Sequence, residues 1–96
     1  MPTYIGLVNW TEQGIKAVRD SGKRYDAFKA LVEGKGGRIH SLYMTMGAFD
    51  IVATYELPSD EAAAEVALKL GSGGNVRTQT LKAFDEAAFR KLTGSV

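Results

Sequence analysis

The chain has 96 residues, 45% hydrophobic and 24% charged, with 12 basic against 11 acidic side chains and a net charge of +1. That length suits one domain around one core, and the scattered, nearly balanced charges give no electrostatic footprint for nucleic acid or anionic lipid. The absence of cysteine excludes disulfides, thiol nucleophiles and thiolate metal sites. No apolar run approaches the roughly 20 residues that cross a bilayer. The opening MPTYIGLVNW lacks the basic region and long apolar stretch of a signal peptide. Residues 1–96 are expected to form a single cytoplasmic domain with no membrane or nucleic-acid partner.

Tyr4 to Asn9 is a short apolar run with aromatic and β-branched residues, the pattern of a strand. Thr11 is placed to cap a short turn from Glu12 to Val18, and Asp20 or Ser21 to cap a longer helix. In that helix Tyr25, Phe28, Leu31 and Val32 fall on one stripe. Gly34, Gly36 and Gly37 end it. Two strands follow between Ile39 and Glu56, and Leu57-Pro58 stops the second. Ser59 or Asp60 opens another helix, with acidic residues meeting the positive end of its dipole. Its stripe of Ala63, Val66, Ala67 and Leu70 is mostly small, which predicts close approach to a sheet. After Gly71 to Gly74, the stretch Asn75 to Phe84 reads as a fourth strand. Asp85 caps a last helix, with Phe84 and Phe89 at hydrophobic-staple spacing, and Thr93 to Val96 are expected to fray.

The stretch IHSLYMTMGAFDIVATYE carries the most information. Gly47-Ala48 suits a two-residue type II′ turn. That turn would set Met46 opposite Phe49, Thr45 opposite Asp50 and Tyr43 opposite Val52. Alternation then gives one nearly apolar face, with His40, Leu42, Met44, Met46, Phe49, Ile51, Ala53 and Tyr55, which calls for a cover of helices. The other face carries Ile39, Ser41, Tyr43, Thr45, Asp50, Val52, Thr54 and Glu56. It is too polar for a core and too apolar for bare water. The element order is two βαβ halves plus a final helix. This is the α+β, ferredoxin-like order, with a four-stranded antiparallel sheet covered by helices on one face. The bare face predicts a homo-oligomer in which two copies pack sheet to sheet about a C2 axis.

Three blocks carry a family resemblance: Tyr4–Asn9 with Trp10-Thr11-Glu12-Gln13-Gly14, Tyr43-Met44-Thr45-Met46-Gly47-Ala48-Phe49-Asp50, and Gly74-Asn75-Val76-Arg77-Thr78. Together they resemble the GYD-domain family, named for Gly-x-Tyr-Asp, with Phe49 here in the tyrosine's place. The resemblance spans nearly the whole chain and implies a ferredoxin-like domain of the dimeric α/β-barrel group, without a settled biochemical function. The hairpin and the last block are also similar to the ligand-binding domain of leucine-responsive and asparagine-regulator transcription factors. That likeness implies effector sensing near a subunit contact. No helix-turn-helix for reading DNA is expected within these 96 residues. Other members of the wider barrel group are enzymes, so fold alone does not fix activity.

Asp50 is the carboxylate of most interest, either binding a ligand amine, acting as a base, or accepting backbone N–H groups that secure the hairpin. Tyr43, Thr45, Thr78 and Thr80 offer hydroxyls for a cavity wall, although threonine is also an ordinary strand former. Trp10 stands where the first strand leaves the sheet, at a pocket mouth or subunit contact. The candidate ligand-binding set is therefore Tyr43, Thr45, Asp50, Trp10 and Thr78. His40, alone and placed opposite Asp50, predicts neither a His-Asp dyad nor a metal site, and no cofactor is expected. The glycine runs Gly34 to Gly37 and Gly71 to Gly74 follow helices and precede strands. A phosphate loop requires the reverse order. Arg77 is expected to face solvent. These residues fit a non-catalytic module that binds a small molecule or effector through its sheet face and hairpin. The alternative is a small enzyme with a chamber between paired sheets, using Asp50 and Tyr43 as acid-base groups.

Overall fold

In the computed structural model, which describes all 96 residues, the two middle strands are β1 (Thr3–Trp10) and β3 (Ile51–Glu56). Their alternating large and small side chains let them carry the core. The edges are β2 (Arg38–Met44) and β4 (Val76–Ala83), and the order β2-β3-β1-β4 is antiparallel throughout. This is the ferredoxin-like α+β sheet. Helices α2 (Ser21–Gly34) and α3 (Asp60–Ser72) cover one face, as the order of elements predicts. Between β1 and α2 run a short helix α1 (Glu12–Lys16) and a 3₁₀ turn at Val18–Asp20. The chain ends in α4 (Glu86–Gly94).

Local signals explain where the helices start. Thr11, Ser59 and Asp85 each accept a backbone N–H three residues on, from Gly14, Ala62 and Ala88. The core lies between the sheet and α2/α3. It consists of Tyr4, Ala53, Tyr55 and Leu57 below and Phe28, Val32, Ala63 and Val66 above. Tyr55 stacks on Tyr4 at 6.0 Å and meets Phe28 edge-on at 5.5 Å. The Tyr4 hydroxyl donates to Asp60 at 2.5 Å, and Lys82 reaches the same carboxylate at 3.1 Å, so the start of α3 is tied to β1 and β4. The molecule measures 48 × 30 × 18 Å, as thin as one helix layer on one sheet. No helix is long and apolar enough to cross a membrane.

Two expectations for the hairpin need correction. The register Tyr43↔Val52 and Met44↔Ile51 is as predicted, and the Thr45 amide donates to Asp50 O at 2.7 Å. Beyond that bond the strands part, and Met46 to Phe49 form an open loop instead of a two-residue turn. Gly47, at φ +146°, adopts a conformation open to glycine. Met46 and Phe49 thus belong to the loop and not to the helix-covered face. The second correction comes from an irregularity between Ile39 and Ser41, where one extra residue interrupts the ladder. It turns Ile39 onto the core, while His40 reaches Glu56 at 3.4 Å. His40 therefore shares the open face with Glu56 and is not opposite Asp50.

Candidate functional site

The three sequence blocks meet at one end of the sheet. The Asp50 carboxylate accepts the Trp10 backbone N–H at 3.0 Å and the Asn9 side-chain amide at 3.4 Å. Asn9 also donates to Ala48 O at 3.0 Å, and the Asp50 amide donates to Val8 O at 2.9 Å. On the other side, the Thr11 amide donates to Asn75 O at 3.0 Å and its hydroxyl to Gly74 O at 2.6 Å. Gln13 donates to Gly73 O at 3.2 Å and Asn75 Oδ1 at 3.1 Å. Gly14 lies so close to Asn75 that a Cβ would collide with its carbonyl. Sequence-distant blocks are thus tied through backbone groups into one rigid corner.

This corner explains Asp50 and Thr45. Asp50 holds the end of β1 against the hairpin, and the Thr45 hydroxyl donates to Phe49 O at 2.6 Å, bracing the loop from inside. What the corner holds out is apolar: Tyr43 is 66% exposed, Met44 71% and Met46 97%. The open face of the sheet continues from Tyr43 through Val52, Leu7 and Ile5 to Leu81 by the strand register. Arg38, His40 and Glu56 form a polar cluster at its far end, with Arg38–Glu56 at 3.3 Å. Arg77, exposed, pairs in register with Asn9.

The side chains of Trp10 and Thr78 lie elsewhere. They turn to the helix side, where they line a cleft of about 650 Å³ between α2, α3 and the sheet. A smaller hollow of about 250 Å³ adjoins it and shares Trp10, Ser21, Tyr25, Leu42 and Ile51. Thr80 also lines the large cleft, beside Tyr55. Burial pushes the Tyr55 hydroxyl above its ordinary pKa, with the nearby Thr80 side chain pulling weakly the other way. The five candidate side chains therefore do not converge, although Asp50 holds the Trp10 backbone: Thr45 and Asp50 brace the hairpin, Tyr43 is on the open face, and the Trp10 and Thr78 side chains are under the helices. No three His, Asp or Glu side chains are grouped to hold a metal.

The cleft is a feature that strand and helix periodicity does not foretell. Its sequence signal is the set of small residues at layer-facing positions, Gly6, Ala53 and Ala67. Small side chains on α3 suggest close approach, but Ala67 and Leu70 instead border open space.

The GYD-domain family model matches residues 4–93, a span that contains all three blocks of the corner. The chain belongs to the GYD-domain family. A relative from Thermus thermophilus, named glutamine synthetase and cystathionine beta-lyase binding protein, is 31% identical over 88 residues. The match covers 91% of this chain and 93% of that protein. A crystal structure of a Thermus thermophilus protein superimposes with a TM-score of 0.56 at 25% identity, covering 88% of this chain and 95% of the other. As a GYD-domain protein the chain has a ferredoxin-like fold, and its named relative is a binding protein.

Proposed function

We propose that this GYD-domain protein is a non-catalytic, homo-oligomeric binding module. Two copies meet across the open faces of their sheets, and the hairpin tips carry the contact with a protein partner. The observation that carries this reading is the state of Asp50. Its carboxylate is occupied by Trp10 and Asn9, so the group best suited to acid-base chemistry serves to hold a loop whose apolar side chains stand in solvent. Exposed methionine and tyrosine on a braced support suit protein recognition: methionine adapts its shape, and tyrosine offers large contact area at small entropic cost. The open face supports pairing because Ile5, Leu7 and Val52 form an apolar centre on a layer that has helices only behind it.

The named relative gives the partner class to test. Purified glutamine synthetase and cystathionine beta-lyase from the same organism as this chain are titrated with it by calorimetry. Saturable binding to either is expected, and Met46→Asp should weaken it by about tenfold or more without lowering thermal stability. Absence of binding to both enzymes, or a Met46→Asp variant that binds like the parent, contradicts the tip as the contact.

A further inference from the structure

We propose that the cleft under α2 and α3 is a binding site for a small amphipathic monocarboxylate, separate from the protein contact at the hairpin. Protein interiors are close-packed, and voids much larger than a water molecule are few. A recess of about 650 Å³ in a 96-residue chain is of the size that takes a small molecule. It exists because small residues stand where the two layers would otherwise meet. On the floor these are Gly6 and Ala53, the directly paired centre of β1 and β3. The Tyr55 ring lies across Gly6, where a Cβ would come within 3.3 Å of it, so the aromatic ring extends the floor instead of filling the space.

The chemistry of the lining selects the ligand. Most of the wall is hydrocarbon and aromatic ring, with Trp10, Tyr25 and Phe28 among its members, which favours an apolar body. Thr78 and Thr80 lie on the floor and are among its few polar side chains. No acidic side chain lines the cleft, and its two charged residues, Arg24 and Lys69, are both basic. Arg24 is already engaged: it donates to Ala17 O at 3.2 Å, Gly14 O at 3.4 Å and Ser21 Oγ at 3.2 Å, and so fixes the turn before α2. Lys69 makes no ion pair with any carboxylate of the chain. An apolar body within and one free ammonium at the rim complement a molecule with a hydrocarbon part and a single anionic end.

The test uses the full chain and three probes of one length: octanoate, octanol and octylamine. Binding is read by calorimetry and by displacement of the fluorescent anion 1-anilinonaphthalene-8-sulfonate. Octanoate is expected to bind best, about tenfold better than octanol, with octylamine weakest. Lys69→Gln should erase the advantage of octanoate over octanol while leaving octanol binding intact. Ala67→Leu, which fills the cleft from α3, should abolish both. A second filling variant, Thr78→Leu on the floor, covers the case in which Ala67→Leu loses its fold. Octanoate binding unaffected by both filling variants would overturn the proposal. So would equal binding of the three probes. If the parent binds no probe but Phe89→Glu in α4 uncovers binding, the occupant is the last helix of a second copy, and the monocarboxylate assignment is wrong.

Discussion

The backbone N–H of Trp10 donates to the carboxylate of Asp50 at 3.0 Å, joining the end of the first strand to the loop that precedes the third. The bond spans 40 residues of sequence, and the only part of Asp50 it requires is an acceptor oxygen. Asp50→Asn keeps an acceptor and should cost under about 1 kcal/mol. Asp50→Ala leaves the Trp10 amide and the Asn9 side chain without their partner and should cost about 2–3 kcal/mol. Denaturant titration measures both, and amide exchange should show faster opening at Trp10 in the alanine variant alone. An equal loss in both variants would mean that the negative charge matters more than the bond.

Gly14→Ala tests the docking of the first block on the last. The added methyl collides with the Asn75 carbonyl, a backbone group that cannot swing aside. A loss of at least about 2–3 kcal/mol is expected, which at this size lowers the melting temperature by roughly 10 °C or more. Gly22→Ala is the control, because a Cβ there meets nothing within 4 Å. Calorimetric melting of the two variants side by side checks the contrast.

The Tyr4–Asp60 bond predicts opposite slopes at the two ends of the pH range. The hydrogen bonds from Tyr4 and Lys82 hold the Asp60 carboxyl below its ordinary pKa of 3.8. A depressed carboxyl contributes stability that is fully present above that ordinary value and is lost as pH falls through the lower, folded one. The Tyr4 hydroxyl is pushed up from 10.0 to about 12, first by burial and then by its bond to Asp60. Its contribution is present below pH 10 and is lost between there and about 12. Tyr4→Phe keeps the ring in the core, removes the Tyr4 titration and leaves Asp60 held by Lys82 alone. Its stability should be lower by about 1–2 kcal/mol at neutral pH, with shallower slopes below pH 4 and above pH 10. Denaturant melts across pH read these slopes directly.

Much of the architecture is legible in the residues. Thr11, Ser59 and Asp85 announce their helices, and the register Tyr43↔Val52 follows from alternation about the Gly47 region. What alternation cannot reveal is an extra residue. The irregularity at Ile39/Ser41 reverses the faces of Ile39 and His40, because a shift of one position exchanges inside for outside. The loop at Met46 to Phe49 is also hidden, since Gly-Ala fits a tight turn as well as a wider one. The site was legible only in pieces. The blocks stand out in the chain, but their meeting through Gly73, Gly74 and Asn75 carbonyls involves backbone groups that carry no sequence signature. The cleft depends on how far α2 and α3 stand from Gly6 and Ala53, a tertiary distance that no periodicity encodes.

The last helix carries a prediction of its own. Helix α4 buries no residue, and Phe84, Phe89 and Leu92 are exposed. If pairing of two copies covers this helix as well as the sheet, Phe89→Glu should weaken association by about tenfold. The folding stability of the single chain should change by under about 0.5 kcal/mol. Dilution followed by sedimentation velocity separates these effects.

The pairing of open faces is tested most directly by the mass of the intact chain in solution, measured by light scattering on a sizing column. The parent should elute as a particle of about twice 10.4 kDa. Val52→Arg, at the centre of the open face, should return the single-chain mass without losing the fold by circular dichroism. A parent that runs at 10.4 kDa across the working concentration range would contradict the account.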